Sequence, residues 1–182
     1  MQTDVIDLYQ IHWPERHVPA FGTMYYDPSK EKSATPIRDQ LQALAQLVQQ
    51  GKVRYIGASS GWAWQFARAL GTSELNGWSR FVSMQNHYNL LYREEEREMI
   101  PLCESEKIAV LPWSPLARGL LAGRARLDDR TSTTRATHDA YAVGLYEGEK
   151  DWEIVDATRA MPLRDGAEWQ RIGSLHQRLG KA

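Results

Sequence analysis

The sequence has little of three features that mark special classes of protein. Its 182 residues include one cysteine, Cys103, which excludes an internal disulfide and fits a reducing compartment, so we expect a cytoplasmic protein. No apolar run approaches the roughly 20 residues of a membrane helix, and no basic segment leads into an apolar one at the start, so we expect neither a membrane span nor a secretory signal. The net charge of −1 gives no basic excess, so we expect no nucleic-acid partner.

The sequence does have the composition of an ordinary globular domain, with 42% hydrophobic and 25% charged residues. Near-continuous apolarity, which strands buried on both faces require, predicts four strands. The last three of them begin at nearly constant steps, and segments of helical periodicity separate them. This alternation predicts an α/β fold with a parallel sheet. The predicted strands are residues 5–11, 53–58, 81–86 and 108–112.

Three helices are predicted between these strands. The first begins at Thr35–Pro36, as an N-cap followed by proline, and carries one apolar stripe. The second is short, from Trp62 to Leu70, and ends at Gly71. The third covers residues 93–107, where Pro101 predicts a kink or a late start because an interior proline costs about 3 kcal/mol.

The alternation of strand and helix stops after Trp113. Residues 124–151 are mostly polar, residues 152–158 could begin a helix, and no fifth strand is predicted. Residues 157–182 carry five basic and two acidic side chains and have weak apolar periodicity. We therefore divide the chain into residues 1–156, which hold the regular pattern, and an atypical tail at residues 157–182.

Each predicted strand is followed directly by polar or aromatic residues. In parallel α/β sheets, ligands bind outside the carboxyl ends of the strands. Core packing alone does not require polar or aromatic residues at these positions. Their presence after all four strands therefore indicates one binding face. The four segments are Gln10–Trp13, Gly57–Ser60, Gln85–Tyr88 and Trp113–Leu116.

Four segments together resemble the aldo-keto reductase family: DLYQIHWP at residues 7–14, GKVRYIGAS at 51–59, QNHYN at 85–89 and PWSPLARG at 112–119. Their order and spacing resemble barrel strands four to seven in the branch that contains bacterial aldo-keto reductases and the potassium-channel β-subunits. The resemblance implies an incomplete (β/α)8 TIM barrel of about four β/α units over residues 1–156. It also implies hydride transfer between NADP(H) and a small-molecule carbonyl or alcohol.

Of the family's catalytic Asp, Tyr, Lys and His, the resemblance matches only the histidine, at His12. His12 would hydrogen-bond the substrate oxygen, where a preplaced donor stabilises the negative charge that develops as hydride arrives. The other three lie on barrel strands one to three, to which no segment of this chain corresponds. We therefore expect little or no turnover from the chain by itself, since a positioned acid contributes about 10²–10⁴-fold. The alternative role of His12 is that of a core histidine beside Trp13.

The resemblance further implies residues that hold the nicotinamide end of NADP(H). Ser59 and Gln85 match positions that hydrogen-bond the carboxamide, and a hydroxyl with a side-chain amide supplies both donors and acceptors. Ser60 stands where many members have asparagine. Trp113 matches the aromatic residue that stacks on the nicotinamide ring, and its alternative role is plain packing at the barrel mouth.

A second set implied by the resemblance holds the phosphates. Ser114, Leu116 and Gly119 match a loop that wraps the pyrophosphate with backbone N–H groups, which needs small residues for close approach. Arg124 and Arg135 match basic residues that hold the pyrophosphate and the adenosine 2′-phosphate, because arginine binds phosphate bidentately. Their alternative role is that of two solvated loop charges. No metal site is predicted.

A different enzyme class is also compatible with part of the sequence. Residues 57–61 satisfy G-x-S-x-G between a predicted strand and a predicted helix, which is the setting of a nucleophile elbow. Ser59 would then be the nucleophile of a serine hydrolase. The candidate partners are His138 or His176 as the base and Asp128 or Asp156 as the acid.

A third interpretation is not enzymatic. The chain could be a remnant that binds NADP(H) without catalysis, which the unmatched strands and the atypical tail favour. Four strands would leave two unpaired sheet edges with apolar faces, and such edges promote association. We therefore expect a homodimer through the exposed barrel edges, or aggregation, rather than a stable monomer.

Overall fold

The computed structural model describes residues 2–15, 27–31, 33–122, 145–146 and 148–160. The chain divides into two compact units. The first unit comprises residues 1–86 and 94–113, and the second comprises residues 87–93 and 114–182. Within the described residues, no helix is both long and apolar enough to cross a membrane.

The described strands form one four-stranded sheet, which confirms the predicted α/β architecture. Along the sheet the strands follow chain order, and the β1–β2 and β2–β3 pairs run parallel. In register, Leu8 lies opposite Tyr55, Gln10 lies opposite Gly57, and Gly57 lies opposite Ser83. The carboxyl ends of the strands therefore share one edge, as predicted. The strands are β1 (Ile6–Ile11), β2 (Val53–Ser59), β3 (Phe81–His87) and β4 (Ala109–Trp113).

The described α-helices are α1 (Ile37–Gln49), α2 (Ala63–Asn76), α3 (Met99–Ser105) and α4 (Glu149–Ala160). Short 3-10 helices lie at Pro28–Lys30, Glu94–Glu96 and Ala117–Ala122. The late start expected near Pro101 is confirmed, since α3 begins only two residues before it. The first turn of a helix tolerates proline because its missing N–H would have no helical partner there.

The predicted end of the second helix at Gly71 is wrong. Helix α2 continues to Asn76 and ends at Gly77, whose φ of +65° is the left-handed conformation that glycine adopts without strain. The N–H groups of Gly77 and Trp78 then bond the carbonyls of Glu74 and Ser73. Gly71 has a helical backbone and Gly77 a left-handed one. The sequence does not show which of the two conformations a glycine adopts.

The core of the first unit lies between one face of the sheet and the helices. Ile56, Met84, Leu41 and Cys103 are almost fully buried in it. Leu8 and Tyr55, which are register partners on adjacent strands, are 37% and 58% exposed. The first unit thus buries one sheet face and leaves apolar side chains accessible elsewhere on its sheet.

The second unit has a separate small core around Tyr146 and Val155, each 1% exposed. Leu120 and Leu121 pack in the same cluster, together with Trp152 of α4. Helix α4 extends across the predicted boundary between residues 156 and 157, and that boundary stays a prediction.

Candidate functional site

Polar side chains at the carboxyl ends of β1, β2 and β3 form one hydrogen-bonded network in the first unit. Gln10 Nε2 donates to Gln85 Oε1 at 2.7 Å, and Ser59 Oγ donates to the Gln85 carbonyl oxygen at 2.7 Å. The structure therefore brings together Ser59 and Gln85, two residues predicted to hold a carboxamide. It adds Gln10, which the sequence placed at the edge without assigning it a role.

Gly57 makes the Gln10–Gln85 bond possible. The bond joins β1 to β3 and so passes over β2, where Gly57 lies opposite both Gln10 and Ser83. A Cβ atom at position 57 would lie 2.5 Å from Ser83 Oγ and 2.7 Å from Gln10 Cγ. Both distances are shorter than any ordinary van der Waals contact, so only glycine fits here without displacement of its neighbours.

Replacing Gly57 with alanine is expected to lower the free energy of unfolding by about 1–3 kcal/mol, the usual range for overpacking. It should also displace the Gln10 side chain from Gln85. Thermal or denaturant unfolding measures the first effect. The matched control is Gly71→Ala, because Gly71 lies inside α2 with no atom near its Cβ position. That change is expected to be neutral or to stabilise by up to about 1 kcal/mol, and equal destabilisation by both variants would contradict the steric argument.

Ser60 follows β2 with a left-handed backbone, φ +57°, which is uncommon for a residue that has a Cβ. Its N–H points to the Gln85 carbonyl oxygen at 3.1 Å and to Asn86 Oδ1 at 3.3 Å. Its hydroxyl lies 3.1 Å from that of Ser59. Because the Ser59 proton goes to Gln85, the Ser60 hydroxyl is the donor between the two serines, and both oxygens keep acceptor capacity.

Asn86 connects this turn to a largely buried carboxyl group. Its Nδ2 donates to Glu95 Oε2 at 2.5 Å, and the Asn86 side chain is itself 3% exposed. Burial raises the pKa of Glu95, whereas the hydrogen bond from Asn86 acts in the opposite direction. Glu95 stands in a run of three glutamates, and no role was predicted for it.

His12 lies directly after β1, and its side chain is exposed. Its ring is 4.6 Å from the Trp13 ring, centroid to centroid, with a tilt of 31°. The predicted proximity to Trp13 is present, but the alternative of a core histidine is wrong because the side chain is not buried. Trp113 is half-buried and is the last residue of β4. Like Ser59 on β2 and Gln85 on β3, it lies near the carboxyl end of its strand.

A cavity of about 480 Å³ lies beside the carboxyl ends of β1 and β2 in the first unit. Ile11 and Ser59 line it from the strands, and Ile37 and Trp64 line it from the helices. The volume is within the range of small-molecule sites, about 300–1,000 Å³. Ser59 thus borders both this cavity and the hydrogen-bonded network.

The predicted phosphate loop lies in the second unit and has a strained backbone. Ser114, Ala117, Arg118 and Gly119 all have positive φ, between +46° and +99°. Successive backbone N–H groups in such conformations form concavities that bind anions. The turn is held by bonds from the N–H groups of Ala117 and Gly119 to the carbonyls of Ser114 and Leu116, each 2.9 Å long. This places Ser114, Leu116 and Gly119 in one turn, and their role at a pyrophosphate stays a prediction.

Several predicted residues lie outside the described part of the chain. They are Arg124 and Arg135 of the phosphate set, and Asp128, His138 and His176 of the hydrolase alternative. Asp156 is described and lies on α4, where it is exposed. Among the described residues, no three His, Cys, Asp or Glu side chains are grouped so that they could hold a metal ion.

A buried polar cluster in the second unit was not predicted. Asn89 Oδ1 accepts the backbone N–H groups of Leu91 and Tyr92 at 2.8 and 3.0 Å, which fixes the orientation of its amide. Asn89 Nδ2 donates to Tyr146 Oη at 2.8 Å and lies 3.2 Å from His87 Nε2. Tyr146 is 57 residues away from Asn89 in the sequence. The only sequence signal for the cluster is the QNHYN segment, which contains His87 and Asn89.

The donors in this cluster determine the form of His87. Asn89 Nδ2 can only donate, so it faces an unprotonated His87 Nε2, and Tyr146 Oη, 2.6 Å away, donates its proton to that nitrogen. The imidazole also stacks on the Tyr92 ring at 4.3 Å. Burial, and to a lesser degree the positive charge of Arg118, lower the pKa of His87 to about 4, so it is neutral at pH 7. Burial raises the pKa of Tyr146.

Comparison with known proteins gives consistent similarities. The family model described as "Aldo/keto reductase family" matches residues 1–170. Aldo-keto reductase AMT2 of Alternaria alternata is 48% identical over 136 residues, which cover 75% of this chain and 32% of that protein. Versiconal hemiacetal acetate reductase of Aspergillus parasiticus is 42% identical over 141 residues, covering 76% of this chain and 40% of that protein.

A solved structure is similar as well. Glycerol dehydrogenase AKR11B4 from Gluconobacter oxydans superposes with a TM-score of 0.60 and 26% identity, covering 87% of this chain and 40% of that one. The chain therefore spans between 32% and 40% of the length of these relatives.

Proposed function

The chain belongs to the aldo/keto reductase family, and from that premise we propose that it takes part in the NADP(H)-dependent reduction of aldehydes or ketones. The observation that carries the proposal is the pairing of Ser59 with Gln85 at the carboxyl ends of β2 and β3. We further propose that the four strands correspond to barrel strands four to seven of the family. We propose that the chain belongs to the branch of bacterial reductases and potassium-channel β-subunits, although the curated relatives named above are fungal.

The donor set at the strand ends fits a nicotinamide carboxamide. Gln85 Oε1 is occupied by Gln10, and the Gln85 side-chain NH₂ has no hydrogen-bond partner among the described residues, so it can donate to a carbonyl oxygen. The oxygens of Ser59 and Ser60 keep acceptor capacity and can receive an amide N–H. An amide needs both kinds of partner, and these three residues supply both. Trp113 supplies an aromatic face for stacking.

The chain's own residues then have separate roles. When bound, NADP(H) supplies the hydride. Gln85 and the two serines orient the carboxamide, and orientation of this kind selects which ring face meets the substrate. His12, exposed at the end of β1, donates a hydrogen bond to the substrate oxygen, where negative charge develops. By the family resemblance, Ser114, Leu116 and Gly119 would hold the pyrophosphate with backbone N–H groups, and Arg124 and Arg135 would hold the pyrophosphate and the adenosine 2′-phosphate.

We propose that the 182 residues alone turn substrate over slowly. The family's acid and its partners match no segment of this chain, and a positioned acid contributes about 10²–10⁴-fold. The four described strands leave β1 and β4 as sheet edges, where Leu8 of β1 and Leu111 of β4 are exposed. Two copies would supply eight strands, so we propose a homodimer through these edges, and a cytoplasmic location. Light scattering that shows a monodisperse monomer with cooperative unfolding would refute the dimer.

The serine hydrolase interpretation has no support in the described residues. Ser59 Oγ donates its proton to the Gln85 backbone carbonyl, which cannot act as a catalytic base. A nucleophile at an elbow must instead present its hydroxyl to the substrate and to a base. A fluorophosphonate probe is therefore expected to leave Ser59 unlabelled.

Titration of the chain with NADPH, followed by tryptophan fluorescence, tests the proposal. We expect saturable binding that Gln85→Leu weakens about tenfold, the loss of about 1.4 kcal/mol from a hydrogen bond to the carboxamide. Gln42→Leu is the matched control, because Gln42 is exposed on α1. No NADPH binding by the unmodified chain would overturn the proposal. Binding without turnover of a carbonyl panel would identify a non-catalytic NADP(H)-binding remnant, the alternative that the sequence left open.

A further inference from the structure

Glu95 is a largely buried carboxyl group for which the proposed chemistry has no use. It belongs to the 3-10 helix Glu94–Glu96 of the first unit, in which Glu94 is exposed and Glu95 and Glu96 are partly buried. Burying a carboxyl group costs free energy unless a partner compensates for the lost hydration. Its partner is Asn86 Nδ2, 2.5 Å from Glu95 Oε2. The bond from Asn86 compensates for the hydration that the Glu95 carboxyl group loses by turning inward. We therefore asked what this bond does for the residues around Asn86.

The hydrogen bonds lead from Glu95 to the turn after β2. Asn86 uses its NH₂ for Glu95 and its Oδ1 for the Ser60 N–H, so the two ends of its amide are held by opposite neighbours. Ser60 has φ +57°, a conformation that costs a residue with a Cβ about 1–2 kcal/mol. The hydrogen bonds that the Ser60 N–H donates to Asn86 Oδ1 and to the Gln85 carbonyl oxygen offset that strain.

We propose that Glu95 is a positioning residue for the nicotinamide end of the cofactor site. By holding Asn86, it keeps Ser60 in the left-handed turn and keeps the Ser60 and Ser59 hydroxyls 3.1 Å apart beside Gln85. Glu95 does not itself contact the cofactor in this scheme. The inference rests on the proposed function, because it assigns Glu95 a task only if the serines and Gln85 bind a carboxamide.

The first test compares NADPH dissociation constants of three variants by fluorescence titration. Glu95→Ala is expected to weaken binding about tenfold, the equivalent of one lost hydrogen bond to a charged or polar partner. Glu95→Gln keeps an oxygen that accepts from Asn86 and is expected to stay within about twofold to threefold of the unmodified chain. Glu94→Ala, in the same turn but exposed, is the matched control and should bind normally.

The second test asks whether Glu95 acts through Ser60. Glycine adopts φ +57° without strain, so in a Ser60→Gly background the turn no longer needs Asn86 to hold it. Adding Glu95→Ala to Ser60→Gly is therefore expected to weaken binding less than twofold further. A full tenfold further loss in that background would overturn the proposed route, because the effect of Glu95 would then be independent of Ser60.

The outcomes separate the two proposals. If the unmodified chain does not bind NADPH, the proposed function fails. If it binds and Glu95→Ala binds equally well, the function stands and the role of Glu95 is wrong. Should Glu95→Ala not fold, Glu95→Asp takes its place, since one missing methylene group withdraws the carboxyl from Asn86. We expect at least threefold weaker binding by that variant, and unchanged binding would overturn the inference.

Discussion

Replacing Asn89 with alanine is expected to destabilise the second unit by about 3–5 kcal/mol. Asn89 is 1% exposed and has several hydrogen-bond partners. Its Oδ1 accepts the N–H groups of Leu91 and Tyr92, and its Nδ2 donates to the Ser114 carbonyl and to Tyr146 Oη. Alanine would remove all four hydrogen bonds, each of which contributes about 0.5–1.5 kcal/mol, and it would leave the Leu91 N–H without its acceptor.

Hydrogen exchange at the Leu91 and Tyr92 amides measures this effect where it arises, and thermal unfolding measures its size. The matched control is Asn76→Ala, because Asn76 is exposed at the end of α2 and its side chain donates to the Thr72 carbonyl. That variant should change stability by less than about 0.5 kcal/mol. Asn89→Asp still accepts the N–H groups of Leu91 and Tyr92, so its loss of stability should lie between those of Asn89→Ala and Asn76→Ala. Equal effects at positions 76 and 89 would contradict the central role of Asn89.

Acidification from pH 6.5 to pH 4 is expected to remove about 2–3 kcal/mol of stability through His87 alone. The pKa of His87 is about 4 in the folded chain, below its ordinary value of 6.5, because burial disfavours the charged imidazolium. The unfolded chain therefore binds a proton at a higher pH than the folded chain does. Stability from this group is fully present above pH 6.5 and falls as the pH drops towards 4.

The groups around His87 act in the same direction. Arg118 repels a second positive charge, and the NH₂ of Asn89 faces the nitrogen that a proton would occupy. Denaturant unfolding at several pH values measures the effect as the difference between the unmodified chain and His87→Gln, which cannot titrate. This difference removes the contributions of carboxyl groups such as Glu95, whose raised pKa has the opposite sign. Parallel stability curves for the two proteins would show that His87 is not the group responsible.

Much of the fold could be predicted from periodicity. The four apolar segments became the four strands, and their carboxyl ends share one edge, because parallel strands joined by helices must all point the same way. The Ser59–Gln85 pair was implied by the family resemblance alone. The end of α2 did not follow, because Gly71 and Gly77 look alike in sequence and differ only in the backbone angle that each adopts.

The sequence by itself determined the architecture, the family and the strand-end positions of the candidate site, because these depend on local patterns that neighbouring residues set. The tertiary structure decided what no local pattern contains: that Gly57 must be glycine for Gln10 to reach Gln85, and that Glu95 turns inward to Asn86. It also decided that His87, Asn89 and Tyr146 share one buried cluster. These contacts join residues up to 75 positions apart, and whether a side chain is buried there depends on which distant segments the fold packs against it.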